Sequence, residues 1–497
     1  MNEKQIASIK TLGDLKAAGY RSRSIKQEIR ENLIDRLQRK GKVFEGVLGY
    51  EDTVIPDIQR AILARHNMIL LGLRGQAKTR LARQMVDLLD PYIPVVGGSE
   101  VNDDPFHPLS RHARELIEDK GDDTPIEFVA RDNRYAEKLA TPDVTVADLI
   151  GDIDPIKAAN LKLNFSDERV LNYGIIPRSN RGIFVINELP DLQPRIQVAL
   201  FNILQEGDIQ IRGFKLRLPL DIQFVFTANP EDYTNRGSIV TPLKDRIQSQ
   251  ILTHYPNSID LSKEITRQEA RLEESQREQV KVSELTSLLL EQIAFEARDS
   301  EYIDSKSGVS ARLTITAYEN LVSEAERRLL ISGEKGTTTR IADLFGVIPS
   351  ITGKVELVYE GEQEGPRNVA LNLIGKSIRQ QFPNYFPNPD QFKRSKQESP
   401  YQPILDWFGA GNELDLNRNM SDNAFEEALS KVSGLKSIVK KHYGKLDKKD
   451  MAIYMEFVLH GLAEYSLLSK HLLDTSQKFG DILSSVFGSK PDFDDLE

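Results

Sequence analysis

Residues able to carry chemistry gather in the first half of this 497-residue chain. The segment Met68-Ile-Leu-Leu-Gly72-Leu73-Arg74-Gly75-Gln76-Ala77-Lys78-Thr79 runs from an apolar strand into a glycine-containing loop, then Lys-Thr, then a helical pattern carried by Leu81, Met85, Leu88 and Leu89. Strand, loop and helix in that order form a phosphate cradle: loop N–H groups wrap the phosphates and the helix N-terminus adds its positive dipole. Lys78 would reach the β- and γ-phosphates, and Thr79 would offer its hydroxyl to Mg²⁺. Ala77 stands where a second glycine is usual, which costs something only where the backbone needs φ > 0.

Four later features point to hydrolysis of the bound nucleotide. Gly182-Ile-Phe-Val-Ile186-Asn187-Glu188 is a buried strand ending in a polar pair, with Glu188 placed to polarise an attacking water. Asn187 sits where an Asp commonly holds Mg²⁺ through water; its amide keeps an oxygen and loses the charge. Ile222-Gln-Phe-Val-Phe226-Thr-Ala-Asn229-Pro230 presents Asn229 at a strand end, able to orient water and γ-phosphate. Pro242-Leu-Lys-Asp245-Arg246 offers an arginine that could reach a neighbouring subunit's γ-phosphate, and Arg312 opens a helix further on.

The elements that must position these groups follow from pattern. Short apolar runs at Met68–Leu71, Tyr92–Val96, Ile183–Ile186, Ile222–Phe226 and Ile251–Tyr255 alternate with helical stretches. They read as buried parallel strands of a doubly wound α/β sheet over about residues 43–257. A polar stretch within 97–154 is too long for a plain loop, so an ordered insertion is expected. Residues 1–42 form a helical N-terminal extension, with Ile25, Ile29, Leu33, Ile34 and Leu37 at helical spacing. Residues 258–348 read as a helical lid, including Ser283–Ala297 and Arg312–Ile331. Gly353–Gly365 is a loop or hairpin, and 349–403, with five prolines from Pro383 to Pro403, a loop and linker region. Residues 404–497 read as a helical C-terminal domain ending in an acidic tail, Asp492–Glu497.

This order of motifs resembles the AAA+ ATPases, a P-loop α/β fold followed by a helical lid. It is similar in particular to the ATPase subunit of magnesium chelatase and the MoxR-like ATPases, whose loops often carry Ala before the Lys. The resemblance covers about residues 43–330. It is carried also by Gly174-Ile-Ile-Pro-Arg178-Ser-Asn-Arg181-Gly182, by Asp148-Leu-Ile-Gly-Asp-Ile-Asp154, by Asn229-Pro230-Glu231 and by Leu204 through Gly213. Asn187 departs from the group's Asp. The resemblance implies Mg-ATP as cofactor and a homo-oligomeric ring, commonly a hexamer, with ATP between subunits. It further implies Arg246 acting in trans, Arg312 as a second sensor in the lid, and a von Willebrand A domain protein as partner, remodelled or loaded with metal.

Composition narrows the alternatives. Lys and Arg number 65 against 75 Asp and Glu, a net charge of −10, which weighs against the nucleic-acid motors and transcription activators of the same superfamily. Cysteine is absent, excluding disulfides, thiolate metal sites and cysteine nucleophiles. No apolar run approaches membrane-spanning length, so a cytoplasmic protein is expected. A nucleotide-gated assembly switch with low turnover remains the second reading, motivated by Asn187. His107 and His112 near Asp103 and Asp104 lie five residues apart, too divergent on a helix for one metal. Trp407-Phe408 reads as core, and the basic run Lys436–Lys448 as a solvated face.

Overall fold

The computed structural model describes residues 3–164, 167–206, 208–210, 217–230, 239–393, 398–444, 446–473 and 476–482. Parts of three motifs lie outside the described residues: Gly207 and Ile211–Gly213, Glu231, and the acidic tail. So does Lys445. The chain divides into two compact units, Met1–Tyr255 and Pro256–Glu497.

The first unit is built on a five-stranded parallel sheet. Helices α1 (Ile25–Gln38) and α2 (Val54–Leu63) precede β1 (Met68–Leu71) and α3 (Lys78–Gln84). Then come β2 (Tyr92–Val96), β3 (Ile126–Ala130), β4 (Tyr135–Leu139), β5 (Gly182–Asn187), α4 (Pro194–Glu206), β6 (Ile222–Ala228), α5 (Thr241–Arg246) and β7 (Ser249–Leu252). The strand order is β7-β1-β6-β5-β4, and all four pairings are parallel. Side chains alternate across a strand, so each strand divides its residues between two cores. Ile69, Leu71, Phe184, Ile186, Phe224 and Phe226 face a core shared with Ile196, Leu200 and Ile203 of α4. Met68, Leu70, Ile183, Val185 and Val225 face the other, shared with Ile25, Ile29 and Leu33 of α1 and Leu81 of α3. Helix α1 is therefore part of this unit's core. Ser24 caps it by accepting the Gln27 N–H.

One expected parallel strand is not in this sheet. Tyr92–Val96 pairs antiparallel with β3, with Pro94 opposite Phe128. Proline has no N–H to give to a ladder, which disfavours a central place for this run. The sheet's outer position goes instead to β4, inside the polar 97–154 stretch. Its residues are mostly half-buried and include Glu137 and Lys138, so the strand carries little apolar signal.

In the second unit, α6 (Glu284–Arg298), α7 (Arg312–Ser332), α8 (Pro366–Gln381) and α9 (Lys448–Glu464) pack with a three-stranded antiparallel sheet. Its strands are β8 (Leu414–Asn417), β9 (Ser469–Leu472) and β10 (Ser476–Gly480), in the order β8-β10-β9. A single apolar core runs from Ala270 to Phe479. The proline-bearing stretch expected as a linker contributes Phe386 and Tyr401 to it: aromatic residues between the prolines anchor the segment. Gly353–Gly365 holds a short helix, Tyr359–Glu364, rather than a hairpin. Phe408 and Leu414 are buried in the core, with Trp407 packed against it.

Candidate nucleotide site

Three of the sequence features meet at the carboxyl ends of adjacent strands. Register places Leu71 beside Ala228, and Phe226 beside Ile186. The loop after β1, the Asn187-Glu188 pair after β5 and Asn229 after β6 therefore open on one edge of the sheet. Ligands of open α/β sheets bind at that edge.

The loop itself is tightly braced. Thr253, just beyond β7, donates its hydroxyl to Gln76 Oε1 at 2.7 Å, and its N–H bonds Leu71 O at 2.7 Å. Tyr255 OH donates to Arg74 O at 3.0 Å. Tyr50 OH lies 3.1 Å from Gln76 O and 2.8 Å from His254 O. Burial pushes the Tyr50 phenol up to about 12, so it stays a donor at neutral pH. Sequence reading missed these braces, because Tyr50 and Thr253–Tyr255 are joined to the loop only by the fold. Lys78 is buried, and its Nζ bonds Gly72 O and, at 3.0 Å, Leu73 O. Ala77, at the head of α3, adopts φ 54°, ψ 15°. The left-handed conformation that a glycine would take freely is thus required here, and an alanine bears it.

At the end of β5, Asn187 and Glu188 are half-buried, and Glu188 also lies in the left-handed region at φ 55°, ψ 51°. Asn229 is 4% exposed, and its Oδ1 has no hydrogen-bond partner among the described residues. A buried orphan acceptor costs free energy unless a ligand or water completes it.

Arg246 ends α5. Its Nη2 lies 3.2 Å from Gln205 Oε1, it pairs with Asp245, and it lies 4.9 Å over the Phe201 ring. These contacts place it on α4 rather than on its own phosphate loop. Arg312 belongs to the second unit, where it opens α7 with its N–H on Ser310 Oγ at 3.1 Å. His112 bonds Gly97 O at 3.1 Å, and His107 is exposed, 3.8 Å from Asp104.

The motif before β5 is structural. Asn180 donates to Val101 O at 3.0 Å, and Arg181 to Pro94 O at 2.7 Å, tying β2 and the following loop to the sheet. Arg134, just before β4, makes a buried bidentate pair with Glu28 of α1, both bonds 2.7 Å.

The parallel sheet order and the loop after β1 have the arrangement expected of an AAA+ nucleotide-binding domain. Residues 125–247 match the family model described as AAA domain (dynein-related subfamily). Among curated proteins, the chain is similar to the magnesium-chelatase subunit ChlI of Euglena gracilis, 24% identical over 61% of this chain and 87% of that one. It is also similar to the chloroplastic ChlI of Oryza sativa subsp. indica, 23% identical over 57% of this chain and 68% of that one. Among solved structures it is similar to a chain in the complex between subunits BchI and BchD of magnesium chelatase. That chain is 17% identical, with a TM-score of 0.34, covering 65% of this chain and 98% of the other. The chain is thus similar in sequence to ATPase subunits of magnesium chelatase.

Proposed function

We propose that this protein is an ATP-hydrolysing ring motor of the magnesium-chelatase and MoxR type, acting on a partner protein. The observation that carries the reading is the convergence of Lys78 and Thr79, Glu188 and the orphan Asn229 oxygen at one sheet edge. In this reading the loop N–H groups and Lys78 hold the triphosphate, and Lys78 exchanges its two carbonyl partners for phosphate oxygens. Glu188 takes a proton from the attacking water, and Asn229 Oδ1 accepts a hydrogen bond that orients that water. Arg246, engaged on α4, would serve the site of a neighbouring copy in a hexameric ring, and Arg312 would act as a second sensor, as in the chelatase group.

Mg²⁺ suits the donors present. It keeps several waters and takes few protein ligands when phosphates are bound. The Thr79 hydroxyl and the Asn187 amide are such donors, and no cluster of three or more His, Cys, Asp or Glu side chains forms a protein cage among the described residues. When bound, the ion would neutralise phosphate charge. A von Willebrand A domain protein is the proposed partner, after the chelatase group, and metal loading of that partner the proposed outcome. No described helix is long and apolar enough to cross a membrane, and a cytoplasmic location is proposed.

Phosphate release by the wild type and Glu188→Gln, with and without Mg²⁺, tests the reading. The variant should retain nucleotide and lose turnover; equal rates in the two would refute it. Asn187 favours a second reading, an ATP-gated assembly switch, because an amide neutralises less metal charge than a carboxylate. Sizing with and without ATP beside the turnover assay separates the two: assembly without turnover supports the switch.

A further inference from the structure

Thr227 lies on β6, 1% exposed, two residues before Asn229. Its hydroxyl touches both residues at the end of β5. The Glu188 N–H lies 3.1 Å from Thr227 Oγ1, and Thr227 Oγ1 lies 3.2 Å from Asn187 Oδ1. The polarity of the two bonds is fixed by chemistry. A backbone N–H can only donate, so the hydroxyl accepts there and passes its single proton to the amide oxygen of Asn187. Glu188 stands in a conformation that L-residues avoid, and such a backbone persists only where its surroundings hold it.

We infer that Thr227 is a positioning residue for hydrolysis, which holds the Glu188 main chain in its left-handed turn and ties back the Asn187 amide oxygen. This rests on the ATPase reading above. Two consequences follow. Glu188 projects from a turn that is bonded on its N-terminal side, so its carboxylate has fewer orientations to search. The Asn187 oxygen accepts the Thr227 hydroxyl with one lone pair and keeps a second, so the bond fixes the oxygen that the reading above offers to Mg²⁺.

The test uses the full chain with Thr227→Val, Thr227→Ser and Thr227→Ala, reading steady-state phosphate release and the affinity for a fluorescent ATP analogue. Thr227→Val keeps the volume and deletes both bonds. Its kcat should fall about 10-fold or more, part of the roughly 10²–10⁴ that a positioned base contributes. KM and analogue affinity should stay near wild type, since the interaction is one the transition state needs. Thr227→Ser keeps the hydroxyl and should stay close to wild-type kcat. Thr227→Val turning over like wild type overturns the inference. If Thr227→Val does not fold, the Ser and Ala variants differ by the hydroxyl alone, and equal kcat in those two overturns it as well. A wild type that releases no phosphate refutes the ATPase reading itself, which is a separate outcome.

Discussion

A Cβ built on Gly72 would fall 1.9 Å from Thr253 Oγ1 and 2.1 Å from Gln76 Oε1. The first glycine of the phosphate loop is therefore required by the strand beside it as much as by the ligand. Thr253 cannot retreat without breaking its bonds to Gln76 and Leu71. Gly72→Ala should displace the loop and weaken nucleotide binding at least about tenfold, or roughly 1.4 kcal/mol. Titration with a fluorescent nucleotide checks this.

Ala77 should tolerate glycine and reject valine. The left-handed backbone costs an L-residue roughly 1–2 kcal/mol. The greater freedom of glycine in the unfolded chain takes back about 0.5–1 kcal/mol. Ala77→Gly should therefore keep the nucleotide Kd within about fivefold, roughly 1 kcal/mol. Ala77→Val, β-branched at positive φ, should lose binding and lower the melting temperature.

The Glu28–Arg134 pair ties α1 to the sheet through a fully buried contact. Breaking it from one side strands a charge. Arg134→Ala should cost about 3–5 kcal/mol, and the double change Glu28→Leu, Arg134→Met should recover most of that. Urea unfolding of the single and double variants reads the difference.

Glu456 gives the second unit a pH dependence. Its carboxylate is fully buried and accepts the N–H groups of Ile341 and Ala342 at 2.7 and 2.9 Å. Burial pushes it up to about 7. The folded chain then binds more protons than the unfolded chain, whose glutamates titrate at about 4.3. The stabilisation is complete below about 4.5 and is lost as pH rises toward 7, a change of order 3 kcal/mol. Denaturation midpoints at pH 5 and pH 8 should show the loss, and Glu456→Gln should flatten it.

Arg246 should act across subunits. Lys78→Ala and Arg246→Ala should each abolish most turnover alone, the latter by on the order of 10³-fold. Mixed together, they should regain part of it, because some interfaces then carry an intact Lys78 facing an intact Arg246. No recovery on mixing would place Arg246 outside the site.

The sheet edge that Lys78, Glu188 and Asn229 share was legible in the sequence because each follows an apolar strand: Met68–Leu71, Ile183–Ile186 and Ile222–Phe226. Local order carries those. The edge strand Tyr135–Leu139 was not legible, because half-buried strands mix Glu137 and Lys138 with apolar residues. Tyr92–Val96 read as a buried parallel strand on its hydrophobicity, although Pro94 argues against a place inside the sheet. Tyr50 and Thr253 brace the loop from some 25 and 180 residues away in the chain, and separations of that size leave no periodic trace. The left-handed turn at Glu188 also escapes pattern, since nothing in a Glu announces a positive φ.

The undivided core of the second unit has a mechanical meaning. Leu313 and Ala317, next to Arg312 on α7, belong to the same packed cluster as Leu414, Leu416 and Phe479 of the small antiparallel sheet. Phe386 and Tyr401, from the proline-bearing stretch, are packed into that cluster as well. Helix α7 and the small sheet should therefore yield to force or denaturant as one body rather than in sequence.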